Sequence, residues 1–287
     1  MNVMHLLIAL RLGRVSNVPT VTSNVLAAVA LSGSTAGPLP IAITCFAMSL
    51  LYIAGMFLND AFDRDIDAIE RPDRPIPCGQ VTALTVFGAG FGMLLAGVLT
   101  IAALSLTTNA GWTPILSASL LAALIVLYDM NHKGNRLSPL IMGLCRVGVY
   151  TTAALATSAS LSNALLIGCG SLLAYLIGLT YVAKQENLLK LTNLWPLLFL
   201  AVPFVVAAPH GHGPWAFAVY LLFLGWTLRG LKLAITRQIK PAVSGLIAGI
   251  SLLDALFIVR LDRPAMAAVA VGAFLLTTIF QRKIPGT

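Results

Sequence analysis

The chain of 287 residues is 58% hydrophobic and only 10% charged, with a mean hydropathy of +0.91. Soluble globular domains carry about a quarter charged residues, so this composition excludes a soluble protein. The formal net charge of +8 would suit a nucleic-acid-binding protein, but the positions of the basic residues, given below, argue against that class.

Ten apolar segments follow one another along the chain with almost no charge inside them. Uncharged runs of about 18 residues or more are typical of membrane-spanning helices. The sequence therefore predicts one all-α domain over residues 1–287, a polytopic transmembrane helical bundle without an appended soluble domain. The predicted spans are residues 16–31, 40–58, 81–106, 112–128, 139–159, 164–183, 194–208, 215–228, 242–259 and 265–280.

The basic residues lie almost entirely in the gaps on one side of this alternating topology. Arg146, inside the fifth segment, is an exception, and the opposite side carries only Arg260 and Arg263. Because cytoplasmic loops are enriched in Lys and Arg, both termini and the gap after the second segment are predicted to face the cytoplasm. The basic residues thus orient the protein in a membrane, and no nucleic-acid partner is expected.

The gap after the second segment concentrates the acidic residues of the chain. The stretch "LNDAFDRDIDAIERPDRPIP", residues 58–77, contains six of the ten Asp and Glu residues. On a helix that continues out of the second span, Asn59, Asp63 and Asp67 share one face, and Asp60 lies three residues before Asp63. Carboxylates this close repel one another and favour a bound cation. Oxygen ligands suit Mg²⁺, which completes its shell with water and phosphate oxygens.

Two arginines follow the acids within the same stretch. Prolines at 72, 75 and 77 end the helix, since the residue before a proline is disfavoured in the helical region. Arg71 and Arg74 then lie beside the carboxylates, where their forked donors can bind phosphate. The alternative interpretation is a solvated loop in which Asp and Arg side chains pair with each other.

The acidic stretch resembles the first signature of the UbiA superfamily of intramembrane prenyltransferases, N-D-x-x-D-x-x-x-D followed by R-P-x-R-P-I-P-x-G-x-V. The match runs without a gap from Asn59 to Val81. The resemblance implies that Asn59, Asp60, Asp63 and Asp67 bind Mg²⁺ and, through it, the diphosphate of an isoprenyl donor, with Asp63 and Asp67 as catalytic residues. Relatives usually have nine spans, so nine or ten helices around a central cavity are expected.

Other polar residues resemble the family pattern less specifically. Arg14 and Asn24 lie in a stretch similar to the first helix of the family, and both are expected to bind substrate. Asn24 can equally form a hydrogen bond between helices, because a buried amide needs a partner. Lys133, as a catalytic cation, and Arg136, as a substrate contact, follow the fourth span. The alternative for these two is a role as solvated loop cations.

Two ionisable residues fall inside predicted spans. Arg146 in the fifth span is expected to be catalytic, as a cation that contacts the diphosphate. An arginine in a membrane needs an anionic partner. Asp254 in the ninth span is interpreted as a structural partner for such a cation, or as part of a packing contact.

The second signature of the family, D-x-x-x-D at the end of the sixth span, is altered in this chain. The corresponding stretch reads "GLTYVAKQENLLKLTNLWP" and places Glu186 at the first aspartate and Lys190 at the second. Glu186 is expected to bind metal and substrate, while Gln185 and Lys190 are expected to contact the substrate. A charged lysine cannot ligate Mg²⁺ but can neutralise diphosphate. The alternative is a charged cluster that only sets topology. These features are similar to the EboC-like branch of the superfamily.

The resemblance implies Mg²⁺-dependent transfer of an isoprenyl chain from an isoprenyl diphosphate to a small hydrophobic acceptor, often aromatic in this family. Membrane lipid is the expected surrounding partner. A membrane transporter, another membrane phosphotransferase and a catalytically altered prenyl-lipid-binding protein are the alternatives. The sequence leaves the acceptor, the length of the donor chain and the oligomeric state open.

Overall fold

A computed structural model describes residues 3–158, 160–184, 195–284 and 286, with the side chains of residues 3–5 left out. The described chain consists of α-helices and two short 3₁₀ helices, which confirms the predicted all-α bundle. The α-helices are α1 (Val3–Leu12), α2 (Val18–Leu31), α3 (Pro38–Phe62), α4 (Arg64–Glu70), α5 (Ala83–Thr108), α6 (Thr113–Asn131), α7 (Ser138–Ser158), α8 (Asn163–Lys184), α9 (Val202–Val206), α10 (Pro214–Ile235), α11 (Ile239–Val259) and α12 (Pro264–Phe280). The 3₁₀ helices are Val15–Asn17 and Trp195–Ala201.

Seven helices are long and apolar enough to cross a membrane, namely α3, α5, α6, α7, α8, α10 and α11. The other three predicted spans are shorter apolar helices, at Val15–Leu31, Trp195–Val206 and Pro264–Phe280. Trp195–Val206 differs most from its prediction, because it is a 3₁₀ helix followed by a five-residue α-helix. Pro196 and Pro203 lack the backbone donors that a continuous α-helix uses.

Helices α2 and α11 form the centre of the bundle. Nearly all of α2 and the greater part of α11 are buried, and both contact α12 and α8. The surrounding helices α5, α6 and α10 instead expose large apolar side chains, among them Leu95, Leu99, Leu120 and Leu221. An apolar outer surface of this kind is what lipid covers in a membrane protein.

A buried polar network joins α2, α7 and α11 in this centre. Arg146 donates to the Asn24 side-chain oxygen at 2.8 Å, and the Asn24 amide nitrogen donates to Asp254 at 2.8 Å. Tyr150 and Ser23 also donate to Asp254, each at 2.5 Å. Asp254 therefore takes the structural role expected of it, with Asn24 as the bridge to Arg146. A fully hydrogen-bonded arrangement is required because an unpartnered charge is costly inside a bundle.

The two basic residues on the far side of the predicted topology also have specific partners. Arg260 donates to the backbone oxygen of Val206 at 3.1 Å, and Arg263 donates to that of Ser34 at 3.2 Å. Both arginines flank the turn between α11 and α12. The two arginines therefore bind carbonyl groups at the end of α9 and in the loop after α2.

Helices α3 and α5 pack closely because α5 presents glycines to leucines of α3. A β-carbon added at Gly90 would lie 2.8 Å from the Leu58 side chain, and one added at Gly97 would lie 2.8 Å from that of Leu51. Both leucines are fully buried, so they have little room to move. Overpacking a tightly packed interior is destabilising.

We predict that Gly90→Ala/Gly97→Ala lowers the stability of the purified protein by about 1–3 kcal/mol for each site, measured as a lower Tm in detergent. The matched control is Gly88→Ala/Gly92→Ala on the same helix, where an added β-carbon meets nothing within 4 Å. The control should keep its Tm or raise it slightly, because alanine favours helix over glycine. Equal Tm values for the two double variants would contradict the close packing of α3 and α5.

Candidate active site

The acidic stretch keeps one helical register across the end of α3 and the whole of α4. The backbone N–H of Asp63 donates to the carbonyl of Asn59 at 3.0 Å, and that of Asp67 donates to Asp63 at 2.8 Å. The backbone N–H of Arg71 then donates to the backbone carbonyl of Asp67 at 2.9 Å, and the helix ends there. The predicted i, i+4, i+8 spacing of Asn59, Asp63 and Asp67 is therefore realised on one face.

Four polar side chains of this face are nearly inaccessible to solvent. The exposed fractions are 8% for Asn59, 7% for Asp60, 5% for Asp63 and 1% for Asp67. This burial raises the pKa of Asp67 above its ordinary value, although the charge and hydrogen bond of Arg74 act in the opposite direction. The acids thus lie in an enclosed site, unlike the side chains of a solvated loop.

Two arginines hold the acidic side chains together. The same Arg74 nitrogen contacts Asp67 at 2.6 Å and Asp60 at 3.0 Å. Arg14 donates to Asp60 at 3.2 Å and to the Asn59 side-chain oxygen at 3.3 Å. Asp60 is therefore shared between two guanidinium groups, one from the turn after α1 and one from the loop after α4.

The remaining acid, Asp63, faces the end of α6. His132 Nε2 lies 3.3 Å from Asp63 Oδ2, and the imidazole ring stacks on Tyr128 with ring centroids 5.0 Å apart. Lys133 Nζ lies 3.8 Å from Asp63 Oδ2 and 3.8 Å from Glu70 Oε2. The structure thus places Lys133 beside Asp63 and Glu70.

Sequence reasoning missed Asp129 and His132 as members of this site. The Asn59 amide donates to Asp129 Oδ1 at 3.3 Å. The other oxygen, Asp129 Oδ2, is buried and has no hydrogen-bond partner among the described residues. The available signal was a carboxylate at the end of the fourth apolar segment, in a chain with only ten acidic residues. Asp129 therefore supplies a further hard oxygen next to Asn59.

Asn59, Asp63 and Asp67 line a cavity of about 520 Å³, called here the acidic cavity, whereas Asp60 and Asp129 line neighbouring pockets. Its polar lining includes Asp63, Asp67 and the cations described above, and Arg71 and Arg136 also line it. The lining also includes apolar side chains, among them Met142, Leu179 and Ile247. The cavity thus offers groups that suit an anion and groups that suit a hydrocarbon.

Arg146 and Asn24 do not line the acidic cavity. Arg146 lines a separate apolar pocket of about 60 Å³, where its guanidinium lies over the Tyr52 ring at 5.2 Å. Tyr128 and Met142 line both this pocket and the acidic cavity. Asn24 is fully buried between Arg146 and Asp254. The structure therefore gives Asn24 the interhelical hydrogen bonds that were its alternative role.

Three predicted residues of the second signature, Gln185, Glu186 and Lys190, lie outside the described residues. The last described residue before them, Lys184, lines the acidic cavity and donates to the Asn135 carbonyl at 2.7 Å.

The donor atoms of the site fit a hard divalent cation by their chemistry. Asp63, Asp67 and Asn59 line the cavity with carboxylate and amide oxygens, which Mg²⁺ prefers. Asp129 lies beyond Asn59 and lines the neighbouring pocket of Arg146. No three His, Cys, Asp or Glu residues of the described chain are already gathered around a single metal position. The arginines that hold Asp60 and Asp67 must therefore move, or share their carboxylates, when a cation binds.

Comparison with known proteins identifies the family. The model of the UbiA prenyltransferase family matches residues 18–277. The chain therefore belongs to the UbiA prenyltransferase family, as its first signature indicated.

Curated relatives match part of the chain. Digeranylgeranylglyceryl phosphate synthase of Metallosphaera sedula is 28% identical over 125 residues, which are 44% of this chain and 38% of the relative. The synthase of the same name from Methanosarcina mazei is 33% identical over 132 residues, 46% of this chain and 42% of the relative. Chlorophyll synthase of Oryza sativa subsp. japonica is 38% identical over 85 residues, 28% of this chain and 23% of the relative. The matched segments thus span less than half of each relative.

Solved structures share the fold over most of their length. A UbiA homolog from Aeropyrum pernix K1 superposes with a TM-score of 0.67 and 18% identity, covering 84% of this chain and 97% of that chain. A structure of digeranylgeranylglyceryl phosphate synthase superposes with a TM-score of 0.60 and 18% identity, covering 93% and 98%. These similarities establish a common bundle architecture.

We predict that Arg74→Gln destabilises the ligand-free protein, because it leaves Asp60 and Asp67 without a shared countercharge. Hydrogen bonds to charged groups contribute about 1.5–3 kcal/mol, and the loss should appear as a lower Tm. Added Mg²⁺ should raise the Tm of this variant more than that of the wild type, since the cation can replace the missing charge.

The matched control is Arg64→Gln, whose partner Asp65 is 82% exposed at the side chain and lies 3.3 Å away. Exposed pairs contribute about 0–1 kcal/mol, so this variant should behave like the wild type. An Arg74→Gln variant that gains nothing extra from Mg²⁺ would show that these carboxylates do not take up the cation.

Proposed function

We propose that the protein transfers an isoprenyl chain from an isoprenyl diphosphate to a hydrophobic acceptor within the membrane, with Mg²⁺ as cofactor. The observation that carries this proposal is the mixed lining of the acidic cavity. Buried carboxylates, several cations and apolar side chains line it together. The donor itself, a diphosphate joined to a hydrocarbon chain, needs both charged and apolar contacts. Family membership favours this activity over the transporter alternative.

The carboxylates of the cavity would hold the diphosphate through the metal. Asp63, Asp67 and Asn59 would ligate the ion, with Asp60 and Asp129 close by, and Glu186 is proposed as a further ligand from the second signature. When bound, Mg²⁺ acts as a Lewis acid that stabilises negative charge on the leaving diphosphate. The chain itself keeps the carboxylates buried and aligned on one helical face.

The cations would bind the diphosphate directly. Arg71, Arg74, Lys133 and Arg136 line the cavity, and fixed positive charge stabilises the anion that develops as the bond breaks. Gln185 and Lys190 are proposed as additional contacts. Arg14 has a dual position, since it lines the cavity and also holds Asp60 and Asn59. Arg146 would hold α2 and α7 in position through the buried polar network, without contacting the diphosphate.

The transfer breaks the allylic C–O bond, and the bonding electrons leave with the diphosphate. A nucleophilic atom of the acceptor forms the new bond to that carbon, and its proton passes to the released diphosphate or to water. The apolar side chains of Met142, Leu179 and Ile247 would exclude water from the electron-poor carbon. The donor chain would extend from these side chains towards lipid.

The acceptor is proposed to be hydrophobic and to belong to one of two chemical classes. The family resemblance suggests an aromatic ring. The names of the curated relatives suggest a prenylated glyceryl phosphate instead. Assignment to the EboC-like branch is supported by the altered second signature at Glu186 and Lys190.

We further propose that residues 1–287 act as one integral membrane domain whose acidic cavity opens to the cytoplasm. The support is the clustering of basic residues at the cavity side of the bundle, since Lys and Arg are enriched in cytoplasmic loops.

We expect Asp63→Asn and Asp67→Asn each to reduce Mg²⁺-dependent diphosphate release by about a hundredfold or more, as for other losses of transition-state charge stabilisation. The assay supplies purified protein with geranyl, farnesyl or longer diphosphates. Asp65→Asn is the matched control, because Asp65 lies on the same helix but is exposed and pairs with Arg64. Equal release by the wild type and all three variants would reject the assigned site.

Orientation can be tested at Cys78, which is exposed in the loop that follows Arg74. A charged, membrane-impermeant maleimide should label Cys78 in inside-out vesicles and not in intact cells. The Cys78→Ser variant controls for Cys45, Cys145 and Cys169, which are partly or fully buried. Labelling of Cys78 in intact cells would place the acidic cavity on the outer side.

A further inference from the structure

A second chamber of about 720 Å³ adjoins the acidic cavity and is called here the basic chamber. Arg14, Arg71, Arg74 and Lys240 line both spaces, so these side chains form the partition between them. The basic chamber lies between the end of α1, the loop after α4, the start of α11 and the residues after α12.

The chamber carries a strong excess of positive charge. Its lining contains six cations and two carboxylates, the cations being Arg11, Arg14, Arg71, Arg74, Lys240 and Lys283. One of the carboxylates, Asp60, is already neutralised by Arg14 and Arg74, at 3.2 and 3.0 Å. The chamber therefore attracts anions.

The wall formed by α11 adds to this attraction. Lys240 and Pro241 stand in the first turn of this 21-residue helix, and the turn contains no acidic residue. The positive end of the helix dipole at an N-terminus favours negative charge. Ser244 and Gln281 supply neutral polar groups beside them.

The two spaces differ in their apolar lining. Among the described residues, the apolar lining of the basic chamber is limited to Pro75 and Pro241. The acidic cavity instead includes Met142, Leu179 and Ile247. The basic chamber thus suits a charged head group, and the acidic cavity suits a donor with a hydrocarbon chain.

We propose that the basic chamber binds a phosphate monoester on the head group of the acceptor. This inference rests on the proposed prenyl transfer, because it places the acceptor head group across the arginine partition from the donor diphosphate. A phosphate monoester carries up to two negative charges, which several cations can share through charge-assisted hydrogen bonds. The acceptor's own hydrocarbon chain lies outside the chamber, in lipid.

The test compares the binding of two probes to the full-length protein in neutral detergent. One probe is a prenylglyceryl phosphate, and the other is the same molecule without its phosphate. The wild type should bind the phosphate probe about tenfold more tightly or better, a difference of 1.4 kcal/mol. Arg11→Gln/Lys283→Gln should abolish most of this preference and leave the KM for the isoprenyl diphosphate donor within about twofold, since rim charges act mainly on the ligand they face.

Arg282→Gln is the matched control, because Arg282 is an exposed neighbour of Lys283 that does not line the basic chamber. It should keep the wild-type preference for the phosphate probe. Equal binding of both probes by the wild type would overturn the proposal, as would a donor KM that rises together with the loss of probe binding. A wild type that prefers the phosphate probe but releases no diphosphate from any donor would refute the proposed reaction instead.

A membrane lipid is the other source of a phosphate group. Nanodiscs of phosphatidylcholine, with and without phosphatidylglycerol, distinguish the two. The acceptor proposal requires that phosphatidylglycerol leaves binding of the phosphate probe unchanged. Displacement of the probe by phosphatidylglycerol in the wild type would make the chamber a lipid head-group site and overturn the acceptor assignment.

Discussion

The pairing of buried carboxylates with guanidinium groups is the interaction on which the site depends. Asp60, Asp63 and Asp67 lie close together in an environment that excludes most water, where like charges repel strongly. Arg14 and Arg74 offset this repulsion from two different parts of the chain. The same contacts fix the loop after α4 and the turn after α1 against α3. The same arginine–carboxylate contacts therefore neutralise the acidic residues and hold these segments in place.

Much of this arrangement could be predicted from the sequence because it is local. The apolar segments mark the helices, and the spacing of Asn59, Asp63 and Asp67 sets their common face through backbone hydrogen bonds. The uninterrupted signature gave the family. The prolines of the seventh predicted span, at 196 and 203, also carried the information that this segment forms only short helices.

Contacts between distant parts of the chain could not be predicted in the same way. Asp129 reaches Asn59 across 70 positions, and His132 reaches Asp63 only because α6 ends at the same level as α3. Asn24 was ambiguous because a buried amide satisfies its hydrogen bonds equally well against a substrate or another helix. Arg146 likewise needed an anionic partner, and helix packing supplied Asp254 through Asn24. The sequence shows that a buried amide or arginine requires a partner, but the packing of the helices decides which residue that partner is.

The guanidinium groups on Asp60 and Asp67 have a consequence for how the protein matures. Because the chain supplies its own countercharge, the newly inserted bundle can reach its final form without waiting for an ion from the cytosol. In the proposed Mg²⁺-dependent reaction, scarcity of magnesium in a cell would lower turnover while leaving the amount of correctly assembled protein unchanged. Magnesium would then regulate the turnover of the enzyme reversibly, without affecting its folding in the membrane.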